Sequence, residues 1–100
     1  MTAEKTHFMH IKLGSGYATI AIHSNGLVAE YATAFCSPKD QFVRRKGRLI
    51  AEGRLAAHRD WAQVSYSAVD KDMKRKVKED FIASIKHAPE DFPSWVQKQV

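Results

Sequence analysis

At 100 residues, the chain has the usual length of one domain and is too short to bury two separate hydrophobic cores. Its 44% hydrophobic content exceeds that of a disordered chain, and 16 Lys and Arg against 11 Asp and Glu give a formal net charge of +5. This charge favours an anionic partner, such as nucleic acid or an acidic protein surface, but it is also typical of a merely solvated basic surface. We therefore expect a single domain over residues 1–100.

The single cysteine, Cys36, excludes an internal disulfide, as is typical of proteins from reducing compartments. No apolar run approaches the roughly 20 residues that cross a bilayer, and residues 1–12 lack the apolar segment of a signal peptide. The sequence therefore predicts a cytoplasmic protein that does not interact with a membrane.

Alternating apolar and polar residues predict three strands in the first third of the chain, over residues 6–13, 17–23 and 27–36. The glycines between the first two strands permit a chain reversal. Asn25-Gly26, which is typical of a type I′ turn, would join the second strand to the third. We expect these strands to form an antiparallel meander.

A first helix is predicted over residues 38–57, with Ser37 as its N-cap and Pro38 at its first helical position. With a rotation of about 100° per residue, several apolar residues fall on one side of this helix and form a stripe that should face the sheet. The members of the stripe are Phe42, Val43, Leu49, Ile50, Ala56 and Ala57. Gly53 lies in the middle of the stripe, where the missing side chain would allow close packing on the sheet, whereas Gly47 faces sideways.

A fourth strand is predicted over residues 61–66, with Trp61 and Tyr66 facing opposite ways. A second helix, capped by Ser67, repeats an apolar residue every four positions up to about His87. These apolar positions are Val69, Met73, Val77, Phe81 and Ile85. The apolar residues of 89–100 indicate a short docked C-terminal tail. The predicted fold class is α+β, a four-stranded antiparallel sheet with two helices packed on it in the order βββαβα.

The first helix is the leading candidate for a contact surface, because six cationic side chains lie within residues 39–54. The wheel directs Gln41, Arg44 and Arg48 away from the apolar stripe, and guanidinium groups on a rigid helix suit bidentate contacts with phosphate or carboxylate oxygens. The candidate contact residues of this segment are Lys39, Gln41, Arg44, Arg45, Arg48 and Arg54. The alternative is a solvated helix face in which Arg48 pairs with Glu52 one turn later.

The second helix carries another set of cations on its solvent side. These candidate contact residues are Lys71, Lys74, Arg75 and Lys78. Neighbouring carboxylates offset part of the charge, and such a run is usually a solvated helix face. If both helices packed on the same sheet face, their basic surfaces could merge into one phosphate-binding patch.

Neither the histidines nor the cysteine form a recognisable chemical motif. The five histidines, His7, His10, His23, His58 and His87, do not have the spacing of a metal site. No nucleophile is accompanied by a general base, and no local signature marks Cys36 as reactive. We therefore expect no catalytic residue, no metal and no cofactor, and we expect a structural role for Cys36.

The segment AFCSPKDQF, followed by RKGR and IAEGRL, resembles a pattern in small, mostly uncharacterised bacteriophage and prophage proteins. It covers about a fifth of the chain and carries no established catalytic residues. The resemblance implies a phage-type accessory protein in the cytoplasm of a bacterial host.

Two functional hypotheses follow from these observations. The first is a non-enzymatic protein that binds nucleic acid, or a nucleoprotein complex, mainly through phosphate contacts of the basic helix. The second is an inhibitor or adaptor that docks the same helix on an acidic surface of a host protein, with Phe92 and Trp95 as hydrophobic anchors.

Overall fold

The computed structural model describes residues 6–24, 27–66 and 70–99, with only the backbone for residues 70–72. The elements in chain order are β1 (His7–Leu13), β2 (Gly16–Ser24), β3 (Val28–Cys36), α1 (Arg44–Ala56), β4 (Trp61–Ser65), α2 (Asp70–His87), a 3-10 turn (Pro89–Asp91) and α3 (Ser94–Gln97). The strands form one antiparallel sheet in the order β1-β2-β3-β4, which confirms the predicted α+β class and the βββαβα order. The expected Asn25-Gly26 turn, the Ser67 cap and Val69 lie outside the described residues.

The two long helices pack on opposite faces of the sheet. Large side chains of the first three strands, such as Ile11, Ile20 and Tyr31, form one core with α2. The alternate residues of the strands, among them Ala21 and Ala32, form a second and smaller core with α1. Because successive strand residues point to opposite faces, the sheet separates the two helices and their basic surfaces do not merge.

The α2 side of the sheet holds the larger core and agrees with the sequence. The predicted stripe members Met73, Val77, Phe81 and Ile85 are all buried against the sheet. The C-terminal tail is docked as expected, since Val96 is fully buried and the ring of Trp95 packs directly on Gly16 of β2. Trp61 and Tyr66 point to opposite faces, with Tyr66 in this core and Trp61 on the α1 side.

The first helix begins at Arg44 and not at Pro38, so the predicted start was wrong. The Asp40 N–H donates to the Ser37 carbonyl at 2.9 Å, and the Lys39 N–H donates to the Ser37 hydroxyl at 3.2 Å. These bonds make residues 37–40 a turn. Ser, Pro and Asp favour both turns and helix N-termini, and here the turn forms because the chain must cross the end of the sheet before the helix begins.

The predicted orientation of α1 was also wrong. The residues of α1 that are buried against the sheet are Ala51 and Leu55, whereas Leu49 is 63% exposed and Ile50 40% exposed. The physical reason lies in the sheet, whose α1 side is lined by small residues such as Ala21 and Ala32. A helix can approach such a surface closely only with its own small residues, so the largest apolar side chains of α1 remain outside.

The roles of the two helical glycines are the reverse of those predicted. A Cβ atom on Gly47 would lie 2.6 Å from the hydroxyl of Thr19, which is itself buried, whereas a Cβ on Gly53 would meet no atom within 4 Å. Gly47 is therefore the residue that allows α1 to approach the sheet.

These contacts give the two alanine substitutions opposite expected effects. We expect Gly47→Ala to lower the free energy of unfolding by roughly 1–3 kcal/mol, because the helix must move away from Thr19. Gly53→Ala should raise it by roughly 0.5–1 kcal/mol, because alanine favours the helix and meets no obstacle. Urea unfolding of both variants in dilute solution measures these effects. Equal effects of the two substitutions would contradict this packing.

Candidate functional site

The orientation of α1 brings Arg44 and Arg48 to the flank of the helix that faces β1. The guanidinium carbon of Arg48 lies 6.0 Å from the centre of the Phe8 ring on β1, and the side chain is half-buried. Both arginines are close enough to His10 of β1 for their charges to act on its imidazole. The sequence directed both arginines outward: Arg44 is exposed, whereas Arg48 is half-buried and lies over the Phe8 ring.

His10 links β1 to this flank of α1. Its Nδ1 atom lies 2.9 Å from the Thr19 hydroxyl, and the edge of its ring meets Phe42 with 5.5 Å between ring centres. Burial is the main cause that lowers the pKa of His10 below its ordinary value of 6.5, and the positive charges of Arg44 and Arg48 lower it further. The imidazole therefore favours its neutral form in the free protein near pH 7.

An aromatic pair completes this region. The rings of Tyr17 and Phe42 are stacked, with centres 4.0 Å apart and planes 10° from parallel. Lys12 is paired with Tyr17 across β1 and β2, lies on the same face and is exposed. The stack fixes the loop before α1 on the sheet and thereby positions Arg44, the first residue of the helix.

We call this set of residues the basic-aromatic patch. Its members are His10, Lys12, Tyr17, Phe42, Arg44 and Arg48. Within the described ranges, Arg44 and Arg48 make no ion pair, so the Arg48–Glu52 pair of the solvated alternative does not form. The first turn of α1 contains no acidic residue, and the N-cap residue Val43 offers no side-chain hydrogen bond. Arg44, the first residue of the helix, therefore adds to the positive end of the helix dipole, which costs roughly 0.3–1 kcal/mol unless an anion is close.

The remaining predicted residues of the first basic segment are scattered. Lys39 and Gln41 are exposed in the segment before α1, and Arg45 is exposed on the outer side of the helix. The Arg54 Nη1 donates to the Thr33 carbonyl oxygen at 2.8 Å, and its Nε lies 3.8 Å from Asp60. Arg54 therefore contacts β3 beyond the end of β4 and lies away from the patch.

The candidate residues of α2 are on the other side of the sheet from the patch. Lys74, Arg75 and Lys78 are exposed, and Arg75 lies 4.0 Å from Glu79 one turn later. The side chain of Lys71 is outside the described part of the chain. These cations form a second surface that cannot contact a short ligand together with the patch.

Two clefts lie beside the C-terminal half of β3, which is not paired with β4. A cleft of about 660 Å³ on the α2 side is lined by aromatic residues including Phe35, Phe81 and Phe92. A cleft of about 490 Å³ on the α1 side is bordered by Cys36 and by Lys46 of α1. The volume of the larger cleft would accommodate a small molecule, and one pair of its lining residues, Arg54 and Asp60, lies 3.8 Å apart.

Tyr31 is held in its protonated form at the edge of the larger cleft. Its hydroxyl donates to Asp80 of α2 at 2.5 Å. Burial raises the pKa of Tyr31 far above its ordinary range, and the hydrogen bond and negative charge of Asp80 raise it further. This contact ties β3 to α2.

The thiol of Cys36 points toward the turn before α1. Its sulfur lies 3.7–3.8 Å from the carbonyl oxygens of Ser37, Asp40 and Gln41. Such contacts are weak individually but together hold the turn against the end of β3. Among the described residues, no group of three or more His, Cys, Asp and Glu side chains is arranged to hold a metal ion. Nor does any helix of the described ranges have the length and apolarity to cross a membrane.

Four of the six patch members, His10, Lys12, Tyr17 and Phe42, were not among the contact residues predicted from the sequence. His10 and Lys12 were treated as strand residues without a ligand role, and Phe42 was assigned to the core stripe of the helix. The signal for the first two was present, because the reversal after Leu13 pairs Lys12 with Tyr17. No local signal predicts that Phe42 stacks on Tyr17, since this contact depends on the path of the loop.

The comparisons with known proteins add no relative to this description. No protein-family model matches the chain, and no match was found among the curated proteins or the solved structures.

Proposed function

We propose that this protein is a small non-enzymatic accessory protein that binds nucleic acid through the basic-aromatic patch. The observation that carries the proposal is the convergence of Lys12, Arg44 and Arg48, which have no ion-pair partner in the described ranges, around a stacked aromatic pair. Guanidinium and ammonium groups bind phosphate oxygens, and a half-buried aromatic ring beside them offers a surface for a base. Phosphate contacts should dominate, so affinity should fall steeply as the salt concentration rises.

The resemblance to phage proteins suggests where a protein of this kind would act. A phage-type accessory protein would act in the cytoplasm of the bacterial host, where nucleic acid and nucleoprotein complexes are abundant. Docking on an acidic host protein has less support, because Phe92 and Trp95 pack against Phe35 and are not free to act as exposed anchors.

The pKa of His10 provides a test both of nucleic-acid binding and of the position of the binding site. The probe is a short single-stranded DNA oligonucleotide at low salt, with the matching duplex as a second probe. We expect binding to raise the pKa of His10, because a nearby phosphate stabilises the imidazolium form against burial and the two arginines. Proton linkage then makes binding tighter as the pH falls through the pKa of the bound state.

Nuclear magnetic resonance titration of the histidine ring protons, with and without the oligonucleotide, measures this shift. His87 is the internal control, because it is exposed at the end of α2. Absence of binding to either probe at low salt would refute the proposed function. Binding that leaves the pKa of His10 unchanged would show that the ligand occupies another surface.

A further inference from the structure

The smaller cleft lies directly beside the basic-aromatic patch. Its volume of about 490 Å³ is within the range of roughly 300–1,000 Å³ that is usual for ligand pockets. Thr19, which is hydrogen-bonded to His10 of the patch, also lines the cleft. Phe42, which stacks on Tyr17 in the patch, lines the cleft as well. A ligand bound at the patch can therefore extend into the cleft.

The lining of the cleft combines apolar walls with exposed polar residues. Val43 and Ile50 line it from the start of α1 and are 46% and 40% exposed, so the fold leaves these apolar side chains partly uncovered. Gln41 and Lys46 also line the cleft, and both are exposed. This combination suits a flat heteroaromatic ring such as a nucleobase, which has apolar faces and hydrogen-bonding edges.

The outer side of α1 does not suit a duplex. A helix that reads the major groove does so with outward side chains that contact phosphates and base edges. Beyond its first turn, α1 instead exposes Leu49, Gly53 and Ala56 on the side opposite the sheet, and none of them has a hydrogen-bonding side chain. These features favour a single strand, whose unpaired bases can leave the stack and pack against protein side chains.

The charges at the start of α1 complement a chain of phosphates that crosses from the patch to the cleft. Arg44 belongs to the patch and directly follows Val43, which lines the cleft. Lys46 is on the cleft side of the same turn, and within the described ranges neither Arg44 nor Lys46 forms an ion pair. The carboxylate of Asp40, which also lines the cleft, can accept hydrogen bonds from the amino group of a base.

We propose that the ligand of the basic-aromatic patch is a single-stranded nucleic acid and that the smaller cleft receives one of its unpaired bases. The phosphates bind Arg44 and Arg48, the chain crosses the first turn of α1, and the base packs against Val43 and Ile50. The bound base thereby covers the apolar side chains that the fold leaves exposed. This inference rests on the proposed function and adds to it the kind of nucleic acid and the position of one base.

Fluorescence anisotropy with labelled probes of equal length separates the base contact from the phosphate contacts. The probes are a short single strand of deoxyadenosine, its duplex with deoxythymidine, and an abasic chain that has the same phosphates. We expect the single strand to bind roughly tenfold more tightly than the abasic chain at low salt, and more tightly than the duplex, because only the single strand offers an unpaired base. Equal affinity for the single strand and either other probe would overturn the inference but not the proposed function, whereas binding to none of the probes would refute both.

The double variant Val43→Ala/Ile50→Ala tests the cleft as the position of the base. It should bind the single strand roughly tenfold more weakly than the wild type and the abasic chain equally well, because it removes apolar contacts and no cation. Leu49→Ala is the matched control, since it shortens an exposed apolar side chain on the outer side of the same helix. Circular dichroism checks that both variants fold. Equal effects of the two variants on binding of the single strand would overturn the proposed position.

The methyl resonances of the wild type provide a measurement that needs no variant. The ring of a bound base changes the chemical shifts of nearby methyl groups, so the single strand should shift the signals of Val43 and Ile50 more than those of Leu49. The abasic chain should shift all of these signals much less. Signals of Val43 and Ile50 that stay unshifted at saturation with the single strand would overturn the inference.

Discussion

The double variant Arg44→Glu/Arg48→Glu should bind nucleic acid roughly a hundredfold more weakly than the wild type at low salt, because two phosphate contacts become two repulsions. The slope of log affinity against log salt should become shallower by about 1.4 on a single strand and about 1.8 on a duplex, since each lost phosphate contact removes about 0.7 or 0.9. Fluorescence anisotropy of a labelled oligonucleotide, repeated at several salt concentrations, measures both quantities. The loss should be similar for different base sequences, because phosphate contacts do not read the bases.

The matched control for this variant is Lys74→Glu/Lys78→Glu on α2. It changes the net charge by the same amount, at two exposed positions that are likewise four residues apart, but on the other face of the sheet. We expect its affinity to fall much less and its salt slope to remain close to that of the wild type. An equal loss in both variants would mean that only the total charge matters, and it would remove the patch as the site.

Folding of the Arg44→Glu/Arg48→Glu variant needs a separate check, because Arg48 packs over the Phe8 ring. Loss of this packing could destabilise the protein apart from any effect on binding. Arg44→Glu alone avoids the problem, since Arg44 is exposed, and it should still weaken binding by roughly tenfold. Wild-type affinity in this folded single variant would contradict the proposed contact.

The strands and α2 were predictable because each carries one strong periodic signal. In β2, Ala18, Ile20 and Ile22 alternate with smaller or polar residues, and in α2 a buried residue recurs every fourth position. Each pattern fits only one type of secondary structure, because only one spacing places the large apolar side chains on a common face. The tail was predictable for the same reason, since Trp95 and Val96 need a core to pack against.

The orientation of α1 was not predictable, because its apolar residues lie on more than one side of the helix. Leu49 and Ile50 form one candidate stripe, and Ala51 and Leu55 form another. The helical wheel predicts that the stripe with the larger side chains is buried, but the sheet offers only a narrow space above Ala21 and Ala32. The tertiary partner therefore decided which side of the helix is buried, and the helix sequence alone does not contain that information.

The candidate site was predictable only in part, for a related reason. Arg44 and Arg48 stand out in the sequence as cations on one helix, yet the surface that they form depends on what lies beside them. That surface includes His10 and Lys12, which come from a strand more than thirty residues earlier in the chain. Sequence spacing within an element finds residues that share a face, whereas a site assembled from several elements requires the packing between those elements.

Phe81→Ala should lower the free energy of unfolding by roughly 3–5 kcal/mol, the largest effect that we expect from a single substitution in this protein. The Phe81 side chain is 2% exposed, and its ring centre lies 6.1 Å from that of Phe35 and 6.3 Å from that of Phe92. Its removal leaves a cavity between the sheet, α2 and the tail. Since domains of this size have a total stability of roughly 5–15 kcal/mol, a large part of the stability would be lost.

Leu49→Ala is the comparison that makes the stability measurement specific to this fold. It removes a large apolar side chain that sequence analysis assigned to the core but that is 63% exposed, so we expect a change within roughly 0.5 kcal/mol. Urea unfolding at pH 7 measures both variants under the same conditions. If Leu49→Ala were as destabilising as Phe81→Ala, Leu49 would have to face the sheet, and Arg48 would then leave the Phe8 ring and point to the solvent. The same pair of unfolding curves therefore tests the core and the orientation of α1, on which the basic-aromatic patch depends.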